Sequence, residues 1–269
     1  MSLIIDPALR PFLERYRAAA PAARPVRVTL RLREGSPVAG YDPPKLDGLL
    51  AWAVVQEATG GRGLAPSSAP YALPVPLLCL WRSVDGLPLW AASDLRPAGA
   101  ALDDVEYLHK RAISGGWSAG NPRTGRLSLN TASGRHMERR VPLPQRACAV
   151  WEARAWGDAA EIARLLAGVA FVGKRRGAGL GEVRDWQVES IPAGGGGGEP
   201  GADGVAIAPG RDAVCRDGRL LRPVPAGAAG ALGLAPDEPP ALLGWTPPYW
   251  TPASQGPGWA AGAQAGRIL

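Results

Sequence analysis

At 269 residues the chain carries ample sequence for a core, arranged as one large domain or two small ones. Thirty Lys and Arg against 24 Asp and Glu give a formal charge of +6 and a pI near 9.6, compatible with a polyanionic partner without requiring one. Cys79, Cys148 and Cys215 lie far apart, with no C-x-x-C and no neighbouring histidine, which argues against a zinc site and a disulfide framework; no apolar run approaches membrane-spanning length. The opening Met1-Ser2-Leu3-Ile4-Ile5-Asp6-Pro7 is broken at once by a charge and a proline, so no signal peptide is expected and the cytoplasm is the expected location. No cofactor and no metal is expected.

Asp6-Pro7 opens a helix pattern reaching about Ala20, with Leu9, Phe12, Leu13 and Tyr16 on one side. Val26 to Arg33 alternates strictly, predicting a strand with a buried apolar face and an open face carrying Arg27, Arg31 and Arg33, which meet solvent or RNA. After a Gly/Pro loop (35–44), Leu46, Leu49, Leu50, Ala53 and Val54 recur at helical spacing within 45–57. A strand followed by a helix suits a ferredoxin-like βαββαβ unit. Leu77–Trp81 and Leu87–Ala91 read as a hairpin around Asp85-Gly86.

Residues 95–145 form a polar, basic, irregular centre holding both histidines, His109 and His136. Between His109 and Arg146, Lys110, Arg111, Arg123, Arg126, Arg135, Arg139, Arg140 and Arg146 face a single acid, Glu138, so much of the excess charge sits here, as a solvated basic surface or as a polyanion site. Asp103-Asp104-x-Glu106 reads as a helix N-terminus. Cys148–Ala153 resumes a strand, and Asp158 can cap a helix running to about Ala167.

Val169-Ala170-Phe171-Val172, read as a strand, leads into Gly173-Lys174-Arg175-Arg176-Gly177-Ala178-Gly179-Leu180-Gly181 and then a second strand ending near Ile191. A glycine turn between two strands lets backbone N–H groups approach one anion while Lys174, Arg175 and Arg176 supply charge, as in a loop that grips a phosphate backbone. The alternative is a solvated hairpin with incidental cations. Gly168 to Lys174 fits the start of a P-loop, but Arg175 stands where a Ser or Thr must ligate magnesium and no helix pattern follows. Gly177-x-Gly179-x-Gly181 lacks dinucleotide-binding spacing.

Residues 194–204 are a glycine-rich linker, and 205–269 a Pro/Gly-rich extension with short strand-like pieces. Its segment Gly244-Trp245-Thr246-Pro247-Pro248-Tyr249-Trp250-Thr251-Pro252 is a tail packed back onto the domain, or an aromatic cluster that stacks on bases or docks a partner.

Three features, the glycine loop at 172–181, Leu46-Asp47-Gly48-Leu49-Leu50-Ala51-Trp52-Ala53 in the first long helix, and Pro247-Pro248-Tyr249-Trp250, together resemble the RAMP superfamily of CRISPR-associated proteins. The likeness is closest to the type IV Csf subunit with the crRNA 5′-handle role and covers roughly residues 26–252. It implies an α+β, ferredoxin-like or RRM-like fold over 1–193, with 95–145 as a basic thumb-like insertion and 205–269 packing on the domain. It implies a non-catalytic subunit that binds the crRNA 5′ handle and caps a filament of backbone subunits. Its partners would be crRNA, the backbone and large subunits, and target DNA near the handle end, with no membrane. RNA would be held by Gly173, Lys174, Arg175, Arg176, Gly177 and Gly179, and by Lys110, Arg111, Arg135, His136, Arg139 and Arg140 of the insertion. Contacts would be mostly to phosphate and sugar.

Some members of that superfamily cleave precursor crRNA without metal, using a base and an acid or cation at the scissile linkage. His109, beside Tyr107 and Lys110, or His136, beside Arg135, could serve in that alternative, provided it lies near the glycine loop. A third possibility is a structural subunit whose loop faces a protein neighbour.

Overall fold

In the computed structural model, which describes residues 3–34, 36–40, 42–110, 139–192 and 209–266, Asp6 caps a 3-10 turn at Pro7–Leu9 through its carboxylate, which accepts the Ala8 N–H at 2.9 Å. Helix α1 (Arg10–Ala19) follows. Strand β1 (Arg24–Leu32) carries the alternation through: Val26, Val28, Leu30 and Leu32 are buried and Arg27 is open. Then come β2 (Val38–Ala39) and α2 (Leu46–Thr59), which ends where Gly60 enters the left-handed region at φ +58° and returns its N–H to the helix. β3 (Cys79–Arg82) and β4 (Pro88–Trp90) form the hairpin expected around Asp85-Gly86.

The chain continues through β5 (Arg96–Pro97), β6 (Leu102–Lys110), β7 (Arg139–Ala147) and β8 (Val150–Gly157). Asp158 caps α3 (Ala159–Leu166) by accepting from the Ala160 and Glu161 N–H groups at 3.0 and 3.1 Å, as its position before an apolar-periodic run predicts. β9 (Val183–Ser190) follows, and the C-terminal part holds β10 (Cys215–Arg216), β11 (Arg219–Leu220), β12 (Val224–Pro225), α4 (Ala226–Ala229), β13 (Ala241–Gly244) and β14 (Gln255–Trp259). The fold is α+β, with antiparallel sheets, and no helix of the described residues is long and apolar enough to cross a membrane.

The principal sheet runs β5-β8-β1-β9, every neighbouring pair antiparallel. Its inward side chains (Val26, Val28, Leu30, Trp151, Ala153) meet Leu46, Leu50 and Val54 of α2 and Ile162, Leu165 and Leu166 of α3 in one core. Each Val, Leu or Ile among them, fully buried, contributes about 1.5–3 kcal/mol. A second core gathers Leu87 and Leu89 with Val214, Leu220, Val224, Leu232, Leu234 and Trp245 of the C-terminal part. β4 divides the two: Leu89 enters the second core and Trp90 the first, the opposite sides of a pleated strand.

Three expectations are corrected. Residues 95–145 are not irregular where described: β6 and β7 pair in nine-residue register from Leu102↔Ala147 to Lys110↔Arg139, an antiparallel ribbon joined to β2. Pro142 and Pro144 hid β7, yet proline is tolerated where a strand is paired on one side over most of its length. Asp103, Asp104 and Glu106 are strand residues and not a helix start. Arg146 binds Asp103 through two nitrogens at 2.5 and 2.7 Å, and Gln145 donates to Glu106 at 2.5 Å. Finally, Val169–Val172 forms no strand, only a bridge between Phe171 and Glu182 that closes the glycine loop. The linker at 194–204 lies outside the described residues.

Candidate nucleic-acid interface

The glycine loop is built from its closure outward. Val172 donates to the Gly181 carbonyl at 2.8 Å and Val183 to Ala170 at 2.9 Å, tying its two ends together. Gly181 has φ +69°, and a Cβ there would overlap the Val172 carbonyl, so the residue must be glycine on two counts. Gly173, at φ +78°, allows equally close passage: a Cβ would sit 2.9 Å from the Ala39 carbonyl oxygen.

Segment 36–40, part of the stretch 35–44 read from sequence as a Gly/Pro loop, is what pins the glycine loop in place. Gly181 donates to Pro37, Glu182 to the Ser36 hydroxyl at 2.7 Å, and Ser36 in turn to the Gly179 carbonyl at 3.0 Å. The Lys174 N–H donates to the Ala39 carbonyl at 2.9 Å while Ala39 pairs with Gln145 of β7, and Gly40 donates to Pro144 at 3.0 Å. Two residues of β2 thus bridge loop and ribbon into one hydrogen-bonded edge. No local pattern in Ser36–Gly40 signals this, because its partners are more than a hundred positions downstream.

Lys174, Arg175 and Arg176 are exposed, and among the described residues none of them makes an ion pair. Nearby arginines differ: Arg31 meets Asp185 at 2.9 Å, Arg33 meets Glu182 at 3.2 Å, and Arg164 meets Glu57 and Glu161 at 2.8 Å. Arg175 has φ +59°, a left-handed conformation that costs a non-glycine residue about 1–2 kcal/mol, and it leads into a 3-10 turn at Arg176–Ala178. Arg176 places its guanidinium carbon 5.6 Å from the Trp52 ring centroid.

Between loop and ribbon lies an open cleft of ≈ 340 Å³ lined by Gly40, Leu108, Val141, Leu143, Lys174 and Arg175. Strand alternation puts Leu108, Val141 and Leu143 on one ribbon face, and Tyr107, His109 and Arg140 on the other. Arg140 stacks its guanidinium 4.0 Å from the Tyr107 ring centroid on that second face. His109 is not among the residues that line the cleft with Lys174 and Arg175. A larger cleft of ≈ 490 Å³ against β6 and β7 has Asp42, Asp103, Asp104, Arg146 and Trp151 in its walls, a lining that disfavours phosphate.

Of the residues singled out from sequence, Gly173, Lys174, Arg175, Arg176, Gly177 and Gly179 lie on one loop; Arg139 and Arg140 are exposed at the far end of the ribbon, paired with Lys110 and His109. Arg111, Arg135 and His136 lie outside the described residues, as does the side chain of Lys110. The count of basic residues between His109 and Arg146 overstated the charge, since Arg146 is neutralised by Asp103 from just outside that window.

In the C-terminal aromatic segment, Trp245 and Tyr249 pack inward and only Trp250 is open. The Tyr249 hydroxyl donates to Asp47 of α2, and its ring lies over Gly48. Burial first, and then the Asp47 carboxylate, push the Tyr249 hydroxyl well above its ordinary range, so it stays a donor. The helix motif at 46–53 and the late Pro-Pro-Tyr-Trp motif are thus two sides of one contact. Trp52 was missed as a surface residue, although it falls off the stripe formed by Leu46, Leu49, Leu50, Ala53 and Val54.

The family model described as CRISPR type IV associated protein Csf3 matches residues 24–259. No curated protein matches the chain.

Proposed function

The chain belongs to the Csf3 family of CRISPR type IV associated proteins, and from that premise we propose that it is a non-catalytic RNA-binding subunit of a type IV ribonucleoprotein, holding the 5′ handle of crRNA and capping the backbone filament. The observation that carries the reading is the exposed loop 173–181, whose three cations have no carboxylate partner among the described residues and whose backbone is pinned to the base of the ribbon. Cations left without internal partners are free to replace the counterions of a phosphate chain.

On this reading residues 1–193 form the RNA-binding domain and 205–269 an extension upon it. The strand order β5-β8-β1-β9, with α2 after β1 and α3 after β8, supports a ferredoxin-like, RAMP-type arrangement. The ribbon is the stem of the thumb-like insertion, and Arg139 and Arg140 lie where it extends away from the sheet. Lys174 and Arg175 bind handle phosphates across the cleft. The partners are crRNA, the backbone and large subunits, and target DNA near the handle end, in the cytoplasm. His109, on the opposite ribbon face, has no part in cleavage.

The test is filter binding of a labelled repeat-derived RNA to the purified chain without divalent metal, with the products run on a denaturing gel. Salt-sensitive binding that leaves the RNA intact, and that is lost when Lys174, Arg175 and Arg176 are all changed to Glu, is the expected result. Defined cleavage abolished by His109→Ala or His136→Ala would replace the reading with a metal-independent endoribonuclease. Affinity unmoved by the triple charge reversal would point to a loop that faces protein.

A further inference from the structure

Of residues 46–56, which make up most of α2, Trp52 alone is exposed. One side of the helix is buried by the principal core and another by the C-terminal segment through Tyr249, yet an indole 38% open to solvent is left beside the loop that carries Lys174, Arg175 and Arg176. A large aromatic side chain in solvent costs solubility and contributes no core packing, so its surroundings bear on its use. Those surroundings are specific. Arg176, itself exposed, lies over the ring at 5.6 Å, and Lys174 and Arg175 precede it on a loop held rigidly to β2.

We propose that Trp52, with Arg176 over its ring, is a stacking position for one unpaired base of a single-stranded RNA whose phosphates run along Lys174 and Arg175. The proposal rests on the RNA-binding reading of the loop and adds to it a base-dependent contact from α2. The chemistry is that of an aromatic face and a guanidinium plane, each of which stacks on a nucleobase without regard to its identity. An indole also suits the place mechanically: its ring is carried by the middle of a packed helix, so little side-chain freedom is lost when a base settles on it. The base either slides between ring and guanidinium or displaces Arg176 toward a phosphate. Both arrangements keep the cation near the RNA and bury the open indole face.

The experiment compares the full-length chain and its variants for binding to a short single-stranded RNA and to an abasic oligomer of the same length and backbone. Trp52→Ala is expected to weaken RNA binding roughly 5- to 140-fold, the range for losing one stacked base, and to leave abasic binding unchanged. Trp52→Phe should recover much of the loss. Arg175→Ala should weaken both ligands alike, because it removes a phosphate contact. Trp250→Ala removes another exposed indole, one with no cation over it among the described residues, and should alter neither. If Trp52→Ala weakens both ligands equally, the indole only props up the loop and the proposal fails. If it weakens neither while Arg175→Ala weakens both, the RNA reading stands without the stacking. A wild-type chain that binds neither ligand overturns both. Melting curves of each variant verify that the fold is retained.

Discussion

Arg222 and Asp47 are separated by 175 positions in sequence and by 2.8 Å in the fold, with side chains only 1% and 2% exposed. Arg222 also donates to the Trp90, Ala92 and Trp245 carbonyls at 2.9, 3.1 and 2.7 Å, so one guanidinium holds β4, α2 and the C-terminal segment together between the two cores. Burial works against its charge, but Asp47, with Tyr249 and Asp94 behind it, more than offsets that, and the net displacement of its pKa is upward.

Breaking this pair should be costly. Arg222→Met leaves the Asp47 carboxylate buried without its cation, and about 3–5 kcal/mol of stability should be lost in urea unfolding. The double variant Arg222→Met with Asp47→Leu should be less destabilised than the sum of the singles, because the orphaned charge is then gone. Additive losses would show that the pair acts only through packing.

The loop glycines divide by geometry. Gly181→Ala forces a Cβ into the Val172 carbonyl at a φ of +69°, so it should destabilise the fold by more than about 1 kcal/mol and displace the loop. Gly177 has no heavy atom within 4 Å of a built Cβ and no positive φ. Gly177→Ala should therefore stay within about 0.5 kcal/mol of wild type. Thermal unfolding of the two variants side by side decides the point.

Acid sensitivity should be traceable to Glu161. The hydrogen bonds from Arg164, first among its causes, with those from Tyr16 and the nearby Arg15 charge, outweigh partial burial and hold its carboxyl down to about 2, against an ordinary 4.5. A depressed folded-state pKa contributes stability that is fully present above 4.5 and lost as pH falls through about 2. Glu161→Gln should flatten that part of the stability curve, and the difference between wild type and variant should vanish toward the acid end of the window. A difference that does not change with pH would refute the assignment.

Salt should report how many loop cations reach phosphate. For single strands each phosphate contact contributes about −0.7 to the slope of log affinity against log salt. Replacing Lys174 or Arg175 singly by Ala should make the slope shallower by about that amount each. A slope that stays the same in both would place the polyanion elsewhere.

Much of the fold was legible because its signals are local. Alternation in Val26–Leu32, the spacing of Leu46, Leu50, Ala53 and Val54, and Asp158 ahead of an apolar-periodic run each decide a neighbouring backbone conformation, and each element formed where expected. The glycine loop was legible for the same reason: positive φ and close approach are properties of single residues. The ribbon was not, because prolines obscured β7 and its register depends on a partner strand some forty positions away. Trp52 was visible as a tryptophan off the apolar stripe, but its neighbour Arg176 lies on an element distant in sequence.

By itself, then, the sequence determined the nature of the elements and the chemistry of the loop, since conformational preference and charge reside in the residues. Tertiary structure alone decided which charges are spent and which are free. Arg146, Arg164 and Arg222 each meet a carboxylate on a strand or helix elsewhere in the chain, whereas Lys174, Arg175 and Arg176 are held at a bridge to Ala39 with no such partner among the described residues. Neutralisation requires contact within a few ångströms, and that distance is set by the packing of remote segments.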